Sequence, residues 1–339
     1  MEVGGLAAAN PVWVGSSELT MTLDGLIACI DAGAGAVVAK SVNESAAARR
    51  QLDIADYAFV SPDGDVRAGP PERRDGLLNR SGLAQVELAG WLETLAAAVA
   101  HGAPRGCPVL GSITLGDPAE AARIGRAMTA AVPAVELNIG APHGREARAV
   151  RQLTDVESVR DAVRTVRAAV GVPLFVKLPG QASDVVALAR AARSSGADAV
   201  GLVGRYPGFL PAADGGPALG SWGAWGSPGC LPMSLYWVSK AYQALAAPLI
   251  GTNGARTAAD VLRFLASGAQ AVEVVTALWI GGPAVLRELV AGVGEGLAGK
   301  DFGEFVGSAV AGAREYADLV PPPSPAWLPY TARWRSSGR

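Results

Sequence analysis

The chain has 339 residues, 50% of them hydrophobic and 18% charged, with a formal net charge of -2. That is ample material for a large core, and it excludes a disordered polymer and a protein held to nucleic acid by an overall positive field. Cys29, Cys107 and Cys230 are too scattered for a disulfide framework, a CxxC metal pair or an iron–sulfur spacing, so no metal site is expected. There is no long uninterrupted apolar run, and Met-Glu-Val-Gly-Gly is not a secretory start, so the expectation is a cytoplasmic protein that does not engage a membrane.

Short β-branched segments recur along the chain, each opened by Gly, Pro, Ala or Asp and followed by a helical stretch. They cover residues 11–15, 36–40, 108–114, 134–138, 173–178, 198–203, 248–252 and 271–276. Near-continuous apolar runs of this kind are strands covered on both faces. The intervening stretches carry the helical period, with Val185, Leu188, Ala189 and Ala192 on one face and Leu286, Leu289, Val290, Val293 and Leu297 on another. The pattern predicts an α/β protein, a single (β/α)8 TIM barrel over residues 1–319. A doubly wound sheet is the alternative, but it needs no eighth strand.

Two stretches interrupt the alternation. Residues 41–107 form a long insertion after the second strand, in which Tyr57 to Val60, a Ser-Pro-Asp-Gly turn and Val66 predict a hairpin. Residues 204–232 are rich in Gly and Pro yet hold Trp222 and Trp225, rings that seek burial either over the barrel mouth or against the outer helices. Beyond the barrel, residues 320–339 form a Pro-rich tail with Trp327, Tyr330 and Trp334, read as a strap on the body or on a second subunit.

Asn138 closes the fourth segment, where a buried strand runs into a turn of Gly140, Pro142 and Gly144. In a parallel barrel the chemistry sits at that end, and an amide there offers donors and an acceptor without bringing in charge. The competing reading is that Asn138 only ties down its own turn. Lys40 ends the second segment and Lys177 the fifth; a buried strand interior is costly for Lys, so both are expected to emerge beside Asn138. Two cations and an amide suit an anionic or electron-accepting ligand. Gly251-Thr252-Asn253-Gly254 and Val275-Thr276-Ala277 close the last two segments, the usual place of a phosphate cradle, and imply a phosphorylated cofactor such as FMN.

Asn10-Pro11-Val12, Gly33 to Ser41, Leu77-Leu78-Asn79, Glu136-Leu137-Asn138, Val176-Lys177-Leu178 and Val274-Val275-Thr276-Ala277 occur in order and at fitting intervals. Together they resemble the FMN-dependent dihydroorotate dehydrogenase family, including the flavin domain of dihydropyrimidine dehydrogenase, over about residues 4–300. The resemblance implies an FMN-binding homodimer. It assigns Lys40 to the flavin edge and the substrate, Lys177 to stabilising reduced flavin, Asn138 to both ligands, and Asn79 to the substrate. It also assigns Ser16, Ser17, Ser41, Gly226 and Ser227 to the cofactor lining, and Gly251, Gly254 and Thr276 to the phosphate turns.

The departures bear on the substrate. Where the family carries Asn-x-Ser-Cys-Pro-Asn, with a Cys or Ser as base, this chain has Asn138-Ile139-Gly140-Ala141-Pro142-His143, and Ala141 cannot accept a proton. A positioned base contributes about 10²- to 10⁴-fold, so dihydroorotate is not the expected substrate. Candidates to replace the base are His143, which titrates near neutrality, and Tyr206; Arg205 is the better anion clamp at the substrate. Asn138 to Pro142 with Asn253-Gly254 is also similar to tRNA dihydrouridine synthases, but the chain has neither room nor charge for an RNA-binding domain.

The resulting expectation is an FMN-dependent oxidoreductase that moves hydride to or from a small, anionic molecule other than dihydroorotate. The alternatives are a catalytically silent flavin- or metabolite-binding barrel, and a dihydroorotate or dihydropyrimidine dehydrogenase with a substitute base. No iron–sulfur or nicotinamide segment is evident in the sequence, so electrons are expected to leave through a small oxidant, oxygen or another protein.

Overall fold

The computed structural model describes residues 1–141, 150–321 and Trp327. Eight parallel strands close into a barrel: β1 (Val12–Val14), β2 (Ala36–Val38), β3 (Val109–Thr114), β4 (Val135–Asn138), β5 (Leu174–Lys177), β6 (Ala199–Leu202), β7 (Leu249–Thr252) and β8 (Ala271–Val274). Each strand lies inside a segment the sequence marks out. They are short because parallel pairing needs only the buried apolar run, and the flanking Pro and Gly residues end it. The helices that cover them are α1 (Leu23–Asp31), α2 (Leu88–Gly102), α3 (Pro118–Met128), α4 (Val156–Arg167), α5 (Val185–Ser194), α6 (Leu231–Ala244), α7 (Ala258–Ala266) and α8 (Thr276–Leu297). Asp117, Asp155, Asp184 and Thr257 each cap a helix start by accepting from its free backbone N–H groups.

Strand periodicity splits the core in two. Outward residues such as Val37, Ile113, Leu137, Val176 and Val200 pack with the helices, while Trp13, Val38, Leu110, Phe175 and Ile250 fill the barrel interior. Trp13 stacks on Phe175 with ring centroids 6.1 Å apart. The hairpin of Glu2–Val3 with Leu6–Ala7 adds Val3 and Leu6 to this interior and closes the amino end of the barrel. Above the apolar layer, Ser112, Glu136, Lys177, Thr252 and Glu273 form a buried polar layer.

The predicted hairpin forms as a short one, with Val60 opposite Val66 and the Arg67 N–H donating to the Phe59 carbonyl at 2.9 Å, and Asp56–Val60 also pairs along its whole length with Gly76–Arg80. Gly223–Gly226 and Tyr206–Gly208, from the loop after β6, complete an antiparallel sheet of four strands. Two insertions distant in sequence thus build one small sheet at the carboxyl end of the barrel. Trp225 is half-buried in it, but Trp222 is 77% exposed and among the aromatic rings of the described residues touches only Phe209, contrary to the expected burial.

α8 is long and apolar enough to cross a membrane by composition, yet Gly282 breaks its helical geometry ahead of Pro283, and Leu286, Leu289 and Val293 are buried against the barrel. Of the tail, Pro321 and Trp327 are described and exposed; Tyr330 and Trp334 lie outside the described residues.

Candidate active site

The carboxyl ends of the strands open into a cavity that is continuous with solvent. A second, smaller cavity adjoins it, and Ser16, Lys40, Ser81, Asn138, Ala141 and Arg205 line both.

The floor of the larger cavity is Lys177. The pairing of β4 with β5 sets Asn138 opposite Lys177, so one register delivers amide and ammonium together. Lys177 Nζ lies 2.7 Å from Glu136 Oε2 and 2.5 Å from Glu273 Oε2, with all three side chains buried. Burial opposes the ammonium, but the two carboxylates outweigh it and push its pKa upward. Glu273 is pushed up to about 7 by burial and by Glu136, against the attraction of Lys177. The triad therefore carries one surplus negative charge when both carboxylates are ionised. The positive field expected of a lysine pair is not found at Lys177; neither glutamate was singled out from the sequence, because the contact needs β4, β5 and β8 side by side.

At the far end of the cavity, Thr252, Asn253, Gly254, Ala255 and Arg256 follow β7, and Thr276 opens α8. Asn253 and Gly254 both have positive φ, and a Cβ on Gly254 would lie 2.6 Å from Leu231 Cα. Gly226 faces Asn253 and Thr276, which a Cβ would meet at 3.4 and 3.5 Å. Arg256 is buried; its Nη2 donates to the Asp75 carbonyl at 3.1 Å, while Nε has no partner among the described residues. Burial lowers the Arg256 pKa to about 10. An unpaired guanidinium N–H beside a glycine turn and helix starts fits the phosphate of FMN.

The junction of the two cavities is supplied by the insertions. Lys40 Nζ stands 3.3 Å from Glu18 Oε1 and donates to Ser81 Oγ at 3.2 Å. Burial would raise the Glu18 carboxyl, but Lys40, Ser81 and Tyr57 outweigh it and hold it at about 2. Burial, and then Arg205, lowers the pKa of Lys40, and burial lowers that of Arg205. Arg205 donates to the side-chain oxygen of Asn79, which the four-stranded sheet places beside it. Asn138 Oδ1 accepts from Gly140 N–H at 3.0 Å, so it does tie down its turn, and it also lines both cavities.

Several expected residues are placed elsewhere. A Cβ on Gly251 would strike Phe264, so this glycine faces α7 and not the cavity. Ala277 packs in the strand–helix core. Ser41 lines only the second cavity, its hydroxyl held between Ser16 and Ser112. Tyr206 lies against Gly180, lines neither cavity, and its hydroxyl is buried without a partner among the described residues. Its phenol is raised to about 12 by burial, which does not suit a proton donor near neutrality. His143 lies outside the described residues. Cys230 is buried with Sγ 3.7 Å from Ser227 Oγ, behind the cavity wall. Sequence reasoning missed Glu18, Ser81, Trp279 and Arg256. Of these only Arg256, a cation just after a glycine turn, carries a sequence signal.

The sequence model of dihydroorotate dehydrogenase matches residues 70–297. The chain belongs to the dihydroorotate dehydrogenase family. It is 30% identical over 278 residues to the catalytic subunit of dihydroorotate dehydrogenase B (NAD(+)) of Methanocella arvoryzae, covering 81% of this chain and 85% of that protein. The corresponding subunit of Pyrococcus furiosus is 28% identical over 314 residues, 91% of this chain and 98% of its own length. Dihydroorotate dehydrogenase A (fumarate) of Lacticaseibacillus paracasei is 36% identical over 174 residues, 50% of this chain and 60% of its own length. As a member of this family the chain is an FMN-dependent oxidoreductase, which sets aside the silent barrel. Lys177, the turn after β7 and the start of α8 would hold the cofactor.

Proposed function

We propose that the chain dehydrogenates a small anionic substrate of the dihydroorotate class, seated where the two cavities meet. Buried Lys40 and half-buried Arg205 face one carboxylate, Glu18, and this surplus positive charge is the observation that carries the reading. A desolvated anion gains most where fixed cations already stand without enough counter-charge. Bound FMN supplies the hydride acceptor. The protein positions the substrate through Lys40, Arg205 and Asn138, with Asn79 orienting Arg205, and the sheet of the two insertions covers it from water.

The names of the relatives favour dihydroorotate itself. The specific observation for a different member of the class is Ala141, which lines both cavities where the family places its base. Anaerobic bleaching of bound FMN decides between them. Dihydroorotate that reduces the flavin in the wild type, and faster in Ala141→Cys, supports the first. No bleaching in either protein, with bleaching by another dihydro-carboxylate, supports the second. Failure of every such compound would overturn the proposal. The resemblance also implies a cytoplasmic homodimer, which sedimentation of the holoenzyme tests for its subunit number.

A further inference from the structure

Ala141 raises the question of where the substrate's proton goes. Three hydroxyls run from the junction of the cavities to the buried glutamates. Ser16 Oγ is 3.0 Å from Ser41 Oγ, Ser41 Oγ is 2.8 Å from Ser112 Oγ, and Ser112 Oγ donates to Glu136 Oε1 at 2.9 Å. Ser41, Ser112 and Glu136 are all buried, so no solvent competes for these hydrogen bonds.

The hydrogen-bond inventory fixes the direction of the chain. Glu136 is acceptor-only when ionised, so Ser112 donates to it, Ser41 donates to Ser112, and Ser16 donates to Ser41. Ser16 Oγ also accepts from the Ser41 backbone N–H at 3.0 Å, which leaves one lone pair. Ser16 lines both cavities, so that lone pair is the open end of the chain. At the closed end, Lys177 stands between Glu136 and Glu273, and the surplus negative charge of the triad makes it a sink for one proton. No other Lys, Arg, Asp, Glu or His among the described residues is paired with these three side chains.

We propose that Ser16 is the proton acceptor of the reaction, and that Ser41 and Ser112 relay the proton to the Glu136–Lys177–Glu273 triad, replacing the base absent at Ala141. The inference rests on the proposed dehydrogenation. The substrate loses two C–H bonds and gains one C=C bond. The electron pair of one C–H bond leaves as hydride to FMN, which is reduced by two electrons, and the other hydrogen leaves as a proton. Ser16 takes that proton as it passes its own to Ser41, Ser41 passes one to Ser112, and Ser112 passes one to Glu136, which becomes neutral. Each serine ends as a neutral hydroxyl. Ser16 is the catalytic residue; Ser41 and Ser112 act through it.

The relay is tested on the FMN-loaded protein without any substrate, below about pH 7, where the triad has taken up its proton, by the infrared carbonyl band of the protonated carboxyl, assigned by its loss in Glu136→Gln or Glu273→Gln. On rapid mixing with D2O the wild-type band shifts as the carboxyl exchanges. Ser41→Ala and Ser112→Ala are expected to slow that shift by about tenfold or more, and Ser41→Thr to restore it. With a substrate that bleaches the flavin, Ser16→Ala should slow bleaching by about a hundredfold, the lower range for a positioned base. Exchange as fast in Ser41→Ala and Ser112→Ala as in wild type, or no exchangeable carboxyl band at all, would overturn the relay. Intact chain-dependent exchange with no bleaching by any dihydro-carboxylate leaves the relay standing and removes the proposed function instead.

Discussion

Lys40 and Lys177 both stand at the carboxyl ends of barrel strands, but they are held by different kinds of structure. The carboxylates around Lys177 come from β4 and β8, so the barrel register itself fixes them and the ammonium is over-compensated. The groups around Lys40 come from the turn after β1 and from the insertion, with Arg205 added from a second insertion. Here the cations are under-compensated. The difference separates a rigid floor, whose cation has more than its counter-charge before any ligand binds, from a substrate end whose charge is left for the ligand to complete.

The sharpest way to break that contrast is Lys177→Met. It leaves two buried carboxylates 2.5–2.7 Å from the lost ammonium with no counter-charge, and the expected cost is about 3–5 kcal/mol, read by urea unfolding of the apoprotein. Adding Glu273→Gln should recover part of it; no recovery would mean that the triad is not coupled as described.

Next in size is Arg256→Met. Removing a charged donor to phosphate should weaken FMN by about 1.5–3 kcal/mol, roughly ten- to a hundredfold, measured by flavin fluorescence quenching. Riboflavin, lacking the phosphate, should bind both proteins alike, and an equal loss for riboflavin would take Arg256 away from the phosphate.

A smaller effect should appear in the pH dependence of the floor. Glu273 is held near 7 in the folded protein and titrates near 4.5 when unfolded, so the folded state binds more protons between those values. Its contribution is full below about 4.5 and is lost as pH rises through about 7. Glu273→Gln should flatten that decline in unfolding free energy between about pH 5 and 7.5, and an unchanged slope would put the titration elsewhere. The smallest effect is expected at the roof. Trp222→Ala should change stability by less than about 0.5 kcal/mol, because the ring is 77% exposed.

The barrel was legible because its signal is local. Each buried parallel strand is a short apolar run with a punctuated end, and counting such runs in order gives eight. Asn138, Lys40 and Lys177 were legible for the same reason: a polar residue that ends an apolar strand has one place to go. Thr252, Asn253, Gly254 and Thr276 followed from the turn chemistry, while Gly251 did not, since strand alternation turns it toward Phe264. Tyr206 looked like a mouth residue beside Arg205, but one step along an extended chain reverses the side chain.

What the sequence by itself determined is the fold, the face that carries the chemistry, and the strand-end residues that begin the site. Only the tertiary structure decided the charge state of that face. Glu136 and Glu273 meet Lys177, Glu18 meets Lys40, and Asn79 meets Arg205 across separations of 22 to 126 residues, including 96 between Lys177 and Glu273 and 126 between Asn79 and Arg205. Electrostatic energy depends on distance in space and on burial, and neither is written into the spacing of residues along the chain.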